Sequence, residues 1–329
     1  MTKFRWGILA TGNIAGSMAQ ALHTVEDAEL VAVASRSQAS ADKFGEKWNV
    51  PRRYASYDAL AADPDVDIIY IATPHNLHYE NMRLCLSASK HVLCEKPMTL
   101  NAAESAQCIA FARQNNLFLM EAVWMRFIPA IAQLRKWLAD GVIGDVRLIQ
   151  ADFNFNLPFD PTHRLYNPEL GGGALLDLGI YPLSFTTMLL GFPNEIHAQA
   201  QMSQSGVDEL NTMTLIYDNN ISAQLTSGMV INKPIEAFVM GSKGTIKVHN
   251  LFFRPDKMTL HLNGEDPQTH TIPYLDNGYP HEVLEVHNCL RAGKLESNIM
   301  PLDETQRMMQ LMDNLRTQWG VKYPGENER

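Results

Sequence analysis

Three short stretches of this 329-residue chain carry residue types at spacings that could do chemistry. The first is Ala10-Thr11-Gly12-Asn13-Ile14-Ala15, which follows an apolar run and opens a helical pattern. It fits the GxGxxG/A turn, with alanine in the first place. Such a turn brings a pyrophosphate against backbone N–H groups at a helix N-terminus. Gly12 would allow the closest approach, and Ala15 is small enough for the helix to pack on the strand. A plain strand-to-helix turn is the alternative, but position after the first strand of a βαβ unit favours a dinucleotide.

The end of the second strand bears on which dinucleotide. An acidic residue there would bind the ribose 2′-hydroxyl of NAD. Here, about 23 residues beyond Gly12, the sequence reads Ala34-Ser35-Arg36-Ser37. Arg36 can face a 2′-phosphate, and Ser35 and Ser37 can hydrogen-bond to it. NADP(H) is therefore preferred, with NAD(H) still open, since Arg36 could instead be solvated or stack on adenine.

The second stretch holds two strand ends. Thr73-Pro74-His75-Asn76-Leu77-His78 follows one strand, and Glu95-Lys96-Pro97 follows the next. Ligands of open parallel sheets gather beyond these carboxyl edges. Thr73, Pro74, Asn76, His78, Glu95 and Lys96 are thus candidates to line a cofactor. His75 and His78 show no third ligand, so no metal is expected; a capping turn with Asn76 near the N-cap also fits. Pro97 holds Lys96 extended and leaves a cis Lys96–Pro97 bond open. A lysine fixed there can tune a neighbouring acid or hydrogen-bond a substrate hydroxyl. Glu95 reads as a structural partner for a nearby donor.

The third stretch, Leu170 to Tyr181, contains Gly171-Gly172-Gly173 and then places Asp177 and Tyr181 four apart on one helical face. It offers a carboxylate beside a phenol. On spacing alone, an amphipathic helix with Tyr181 in its core is the better fit.

These residues need positioning elements. Apolar runs at Trp6–Thr11, Leu30–Ser35, Ile68–Thr73, Val92–Cys94 and Phe118–Ala122 alternate with helical patterns at Ile14–Leu22, Ala39–Trp48, Asn76–Ala88 and Ala102–Gln114. That alternation predicts an α/β Rossmann-type domain with a parallel sheet over residues 1–122. From residue 123 to 329 the pattern changes. Strand signals follow one another at Val146–Asn154, Ile196–Gln201, Asn211–Tyr217, Ser222–Met229, Glu236–Met240, Thr245–His249 and Met258–Leu262. Helical patterns at Pro129–Asp140, Leu175–Leu190, Glu282–Ala292 and Asp303–Trp319 flank them. A second α/β domain with a large, mainly antiparallel sheet is expected, with no linker, repeat or low-complexity segment between.

Composition narrows the function. The chain is 46% hydrophobic and 19% charged, with a formal net charge of −9. That is ordinary for a folded soluble protein and argues against a nucleic-acid partner, which calls for a basic face. No run of 18 apolar residues and no signal-peptide pattern are seen, so no membrane partner is expected. Cys85, Cys94, Cys108 and Cys289 show no metal-ligand spacing and read as reduced thiols of a cytoplasmic protein. The methionines of Arg307–Met312 read as helix core.

AxGxxA after the first strand, EKP at Lys96 and GGGxLxDxGxY ending at Tyr181 together resemble the Gfo/Idh/MocA oxidoreductase family over essentially the whole chain. Glu121-Ala122-Val123-Trp124-Met125-Arg126-Phe127 is similar to the branch of dimeric dihydrodiol dehydrogenases and NADP-dependent xylose dehydrogenases. Many members carry histidine where this chain has Tyr181; tyrosine is similar to the dihydrodiol branch. The resemblance implies Lys96 and Tyr181 as the catalytic pair, with Asp177 orienting the substrate or the lysine. Tyr181 would be general base in alcohol oxidation and general acid in carbonyl reduction. Lys96 would position the substrate oxygen and stabilise the tyrosinate. Trp124, Arg126, Phe127, Phe155 and Arg164 would shape a pocket for an apolar ring or a sugar face; packing is the alternative for Trp124 and Phe127. It further implies a homo-oligomer, dimer or tetramer, formed through the open sheet.

The expected function is hydride transfer between nicotinamide and a secondary alcohol, hemiacetal or carbonyl of a small sugar-like or cyclic diol substrate. An NAD-dependent inositol or amino-sugar dehydrogenase is the nearest alternative. A silent dinucleotide-binding regulator could keep Gly12 but lose Lys96 and Tyr181, and a structural oligomer leaves EKP and DxGxY unexplained.

Overall fold

Runs of β-branched and small apolar residues, covered on both faces, become the central strands of a parallel sheet. The computed structural model describes residues 3–326. In its first half these runs form β1 (Phe4–Leu9), β2 (Ala28–Ala34), β3 (Arg52–Tyr54), β4 (Ile68–Ile71), β5 (His91–Glu95) and β6 (Leu119–Ala122). Between them lie α1 (Asn13–Thr24), α2 (Gln38–Lys47), α3 (Tyr57–Ala61), α4 (His78–Ser87) and α5 (Ala102–Gln114). All five strand pairings are parallel, in the order β3-β2-β1-β4-β5-β6. This is the doubly wound Rossmann order, whose direction of winding reverses between β1 and β4 and opens a crevice there. Trp6, Ile8, Leu9, Ile69, Ile71, Val92 and Leu119 are buried in its core. Local chemistry sets the helix starts: Ser37, Ser56 and Asn101 each accept a backbone N–H three residues on, the N-cap role for which these residue types are suited.

The second half contains α6 (Pro129–Ala139), β7 (Val146–Asn154), α7 (Ile180–Leu190), β8 (Glu195–Met202), β9 (Asp208–Ile216), β10 (Ser222–Gly228), β11 (Ala237–Gly241), β12 (Gly244–Val248), β13 (Lys257–Leu262) and β14 (Gln268–Thr271). These strands make one eight-stranded sheet, β14-β13-β12-β11-β7-β10-β9-β8, antiparallel except for the β7–β10 pair. One face buries Ile149, Ala151, Met213, Leu215, Ala223, Leu225, Val239 and Ile246. The alternate residues give an opposite face that mixes polar side chains such as Gln150, Gln224 and Thr214 with Leu148, Phe238 and Met240. Gln150 donates to Gln224 across it (2.9 Å), and Lys247 lies over the Phe238 ring. The chain closes with α8 (Pro280–Arg291) and α9 (Leu302–Trp319).

The chain divides into two compact units. The first takes the chain up to Trp124 together with Leu275–Gln310; the second takes Met125–Tyr274 and the chain from Leu311. The expected division into 1–122 and 123–329 therefore needs correcting, because Leu275–Gln310 returns to the Rossmann unit. Packing explains the return: Trp124 stacks on Tyr279 with centroids 4.4 Å apart, Trp6 Nε1 donates to His287 (2.9 Å), and the Thr305 hydroxyl donates to Glu121 (3.0 Å).

Three elements carried no apolar signal. β3 and α3 are too short for a period, and β14, reading QTHT at the sheet edge, is polar throughout. The helix expected over Leu175–Leu190 begins instead with a π-helical turn, Leu175–Gly179. Pro182 accounts for this: it lacks an N–H and its ring crowds the carbonyl four residues earlier, so the preceding turn widens. By length and mean hydropathy (1.4) the stretch Pro168–Leu190 could cross a membrane, but 83% of that window is buried, which makes it a core helix.

Candidate active site

The first unit supplies one half of the candidate residues. β1 ends at Leu9, and the chain turns through Ala10 and Thr11 to Gly12, the N-cap of α1. No side chain caps this helix. Its first N–H groups are left for solvent or a ligand. A Cβ built on Gly12 would meet nothing within 4 Å, and Gly12 and Asn13 are exposed, with Thr11 and Ile14 half-buried beside them. Open space before an uncapped helix N-terminus fits the pyrophosphate of a dinucleotide. Ala10 has φ 91°, where a Cβ is strained. Glycine, usual at this place in the turn, adopts that conformation freely.

The β2 end is linked to this turn: Thr11 Oγ1 lies 3.4 Å from the buried Ser35 Oγ. Ser37 is engaged by its own helix, accepting from the Ser40 N–H (3.3 Å) and donating to Ser40 Oγ (2.9 Å). Arg36 stands exposed between the two serines. Its charge opposes the upward shift that burial imposes on the Tyr57 phenol.

After β4, Asn81 donates to Thr73 Oγ1 (3.0 Å), Pro74 is exposed, and Asn76 sits in a short 3-10 turn. Asn76 lies one residue before Leu77, the N-cap of α4, which has no side-chain cap. His78 has no exposed surface and is held at both ring nitrogens, Nδ1 2.8 Å from Pro97 O and Nε2 2.9 Å from Thr73 O. Burial lowers its pKa, against the pull of the two carbonyls. These two bonds tie the β4 and β5 loops together. His75 meets it edge to face at 5.7 Å. Among the described residues no group of three His, Cys, Asp or Glu could hold a metal ion.

At the end of β5 the Lys96–Pro97 bond is cis, and half-buried Lys96 stands among buried neighbours. Glu95 is buried, accepts the Tyr70 hydroxyl, and accepts the Lys96 N–H through its other oxygen (3.2 Å). These two contacts suit the structural partner expected for a nearby donor. Glu121 fixes the far side of this loop, accepting the Met98 N–H at 2.9 Å. One buried group had no sequence signal. Glu282, in the first turn of α8, is fully buried with both carboxyl oxygens unpartnered among the described residues. Burial, and then the charge of Glu95, raises its pKa well above the usual range.

The second unit supplies the other half. Asp177 lies in the π-helical turn and is buried, and Arg164 reaches it from the preceding loop with both arms: Nη1–Oδ1 3.1 Å and Nη2–Oδ2 3.0 Å. Such a fork fixes direction as well as distance. The sequence treated Arg164 as a wall of the pocket; the structure makes it the partner of Asp177. Tyr181 opens α7 and is 7% exposed, its ring set against Phe153 (5.4 Å) and Phe253 (5.0 Å), which stack on each other. Phe155 borders this cluster through Phe153. Phe153 and Phe253 escaped sequence reading because they lie 100 residues apart in the chain. Arg126 is only 2% exposed and donates Nε to Ser184 Oγ (3.0 Å), a contact that supports α7 from inside the unit. Phe127 is buried as well, and Trp124 stacks on Tyr279, as the packing alternative for these two residues has it.

The chain is similar to known proteins along nearly its whole length. Residues 4–123 match the oxidoreductase family with an NAD-binding Rossmann fold, and residues 131–247 match the GFO/IDH/MocA C-terminal domain. The trans-1,2-dihydrobenzene-1,2-diol dehydrogenase of Mus musculus is 38% identical over 97% of this chain and 98% of its own; that of Homo sapiens is 37% identical over 97% and 98%. A 3-ketoreductase from Actinomadura kijaniata, solved with NADP and TDP-benzene, superposes with a TM-score of 0.87 at 27% identity, covering 96% of this chain and 98% of its own. Structures of that enzyme substituted at one tyrosine and at one lysine superpose too. An aldose-aldose oxidoreductase from Caulobacter crescentus gives 0.88 at 26% identity over 96% and 97%. With both domain models matched in order and relatives aligned nearly end to end, this chain is an oxidoreductase of the Gfo/Idh/MocA family.

Proposed function

We propose that the protein is an NADP(H)-dependent dehydrogenase or reductase acting on a CH–OH group of a cyclic diol or sugar-like substrate. The near full-length similarity to dihydrodiol dehydrogenases carries this reading, and the sugar-ketone and aldose enzymes of the same fold support its breadth. The nicotinamide, when bound, supplies the hydride chemistry. Gly12 and the uncapped start of α1 hold its pyrophosphate, with Asn13 and Ile14 extending the cradle. Arg36 pairs with the 2′-phosphate, since no carboxylate stands at the end of β2 to prefer a ribose hydroxyl.

Tyr181 takes the hydroxyl proton when alcohol is oxidised and returns it when carbonyl is reduced. Lys96 directs the reacting oxygen and favours the charged phenolate by its own positive charge. Asp177, aimed by Arg164, orients the substrate through its hydroxyls. A second copy of the chain covers the open face of the eight-stranded sheet, on which Leu148, Phe238 and Met240 lie, and the reduced thiols suit a cytoplasmic setting.

A fluorescence titration with NADPH and NADH, followed by a panel of dihydrodiols, polyols and aldoses, tests this. NADPH should bind more tightly, and Arg36→Ala should remove most of that preference. An unchanged preference in Arg36→Ala overturns the phosphate assignment, and tighter NADH binding would favour the inositol or amino-sugar alternative.

A further inference from the structure

The loop before the catalytic helix is built with almost no free space. Gly172 has no room for a side chain: a Cβ there would stand 2.7 Å from Leu165 O and 2.8 Å from both Arg164 O and Asn167 O. The Gly173 N–H donates to Leu165 O (2.8 Å), and Gly173 has φ 117°, open only to glycine at low cost. The carbonyls of Arg164 and Leu165 are thus pressed against the glycine run, and Arg164 is the residue whose side chain grips Asp177.

What presses from the other side is the tail of the chain. The Tyr323 hydroxyl donates to Gly172 O at 2.5 Å. Tyr323 is 4% exposed and carries the Arg316 guanidinium over its ring at 4.8 Å. Arg316 grips Glu326 with two bonds (3.1 and 2.6 Å) and reaches Asp313 (2.7 Å); Glu326 in turn accepts the Tyr323 N–H (2.9 Å). Buried Asp208 completes the contact. Its Oδ2 accepts the Leu175 N–H (2.8 Å) and Asn211 Nδ2 (2.9 Å), while a Cβ on Gly173 would lie 2.5 Å from its Oδ1 and 3.4 Å from Tyr323 Oη.

We propose that Tyr323 and Glu326, clamped by Arg316, are positioning residues for the reaction: they seat the Gly171–Gly173 loop and through it the Arg164–Asp177 pair. The proposal rests on the proposed role of Asp177 and Tyr181. Its physical reason is the cost of the arrangement. A positive-φ glycine, a loop with no spare volume and a buried polar tail are expensive merely to close a surface, and such strain collects where geometry must be held. A misplacement of about 1 Å at a reacting group can cost about a hundredfold in rate.

Tyr323→Phe keeps the ring and its stacking and removes only the hydroxyl bond. It should lower kcat about five- to tenfold, the effect of one buried hydrogen bond, while the Kd for NADPH stays at the wild-type value. Amides of Leu170–Leu176 should exchange faster with solvent. Glu326→Gln should act in the same direction. Wild-type kcat in both variants, within about twofold, overturns the proposal even if exchange changes, because the tail would then be structural only. The exchange measurement does not depend on turnover. Should the wild-type protein turn over none of the panel substrates, the functional reading falls, and unchanged exchange in both variants would separately overturn the seating of the loop.

Discussion

Arg164 grips Asp177 through both arms of its guanidinium, at 3.1 and 3.0 Å, across a tight glycine loop. The Arg164 side chain is 53% exposed, so the pair contributes little to stability, at most about 1 kcal/mol. Its value is directional. Arg164→Lys keeps the charge but loses the fork. It should leave the melting temperature nearly unchanged while lowering kcat/KM about tenfold, read by parallel melts and steady-state rates. A large loss of stability with normal kcat/KM would show the pair to be a structural brace.

Ala10 sits at φ 91° in the turn before Gly12. Ala10→Gly should raise stability by roughly 1 kcal/mol, the strain of a Cβ in that region less the added freedom of the unfolded chain. Denaturant titration measures this, and Ala10→Val should move the midpoint the other way.

His287 is fully buried and accepts the Trp6 indole N–H at Nε2 (2.9 Å), with Nδ1 3.0 Å from Asp27 Oδ1. Accepting at Nε2 requires the neutral ring, with the proton on Nδ1 facing Asp27. Burial accordingly pushes its pKa from 6.5 down to about 4. The unfolded state therefore binds the proton more readily. The stability contributed is complete above pH 6.5 and drains away as the pH falls toward about 4. Unfolding midpoints taken between pH 7.5 and 4 should show this loss, of order 2 kcal/mol, and His287→Gln should flatten it.

Glu282 presents the opposite sign. Its carboxyl is buried, unpartnered among the described residues and raised in pKa by burial and by Glu95. Stability from keeping it protonated is full below the ordinary carboxyl value of 4.5 and declines as the pH rises above it, because the unfolded chain then releases a proton that the folded chain retains. Glu282→Gln should stabilise the protein at pH 8 by at least about 1 kcal/mol and by less at pH 5. Equal effects at both pH values would mean that Glu282 is ionised in the fold.

The strands that carry Gly12 and Lys96 were legible because buried parallel strands write continuous apolar runs, and their ends are marked by Gly12 and Pro97. Apolar periodicity likewise marked the helix that carries Tyr181, but not the π-helical turn before it that holds Asp177. What the sequence hid depends on distant pairing. Nothing near Arg164 announces Asp177, and nothing near Tyr323 announces Gly172, 151 positions away. The return of Leu275–Gln310 to the Rossmann unit was hidden too, since a helical pattern does not say which sheet it will cover. The partners of His78, Glu95 and Arg126 lie elsewhere in the chain, so their hydrogen bonds could not be read from local sequence.

The central claim, that Lys96 and Tyr181 carry the proton chemistry, is tested most directly by kcat of Tyr181→Phe and Lys96→Met with saturating NADP(H) and the best substrate of the panel. Each variant should lose at least about a hundredfold in kcat, the scale of a positioned acid–base group, while NADPH still binds to Tyr181→Phe. Near-wild-type kcat in both variants would contradict the account.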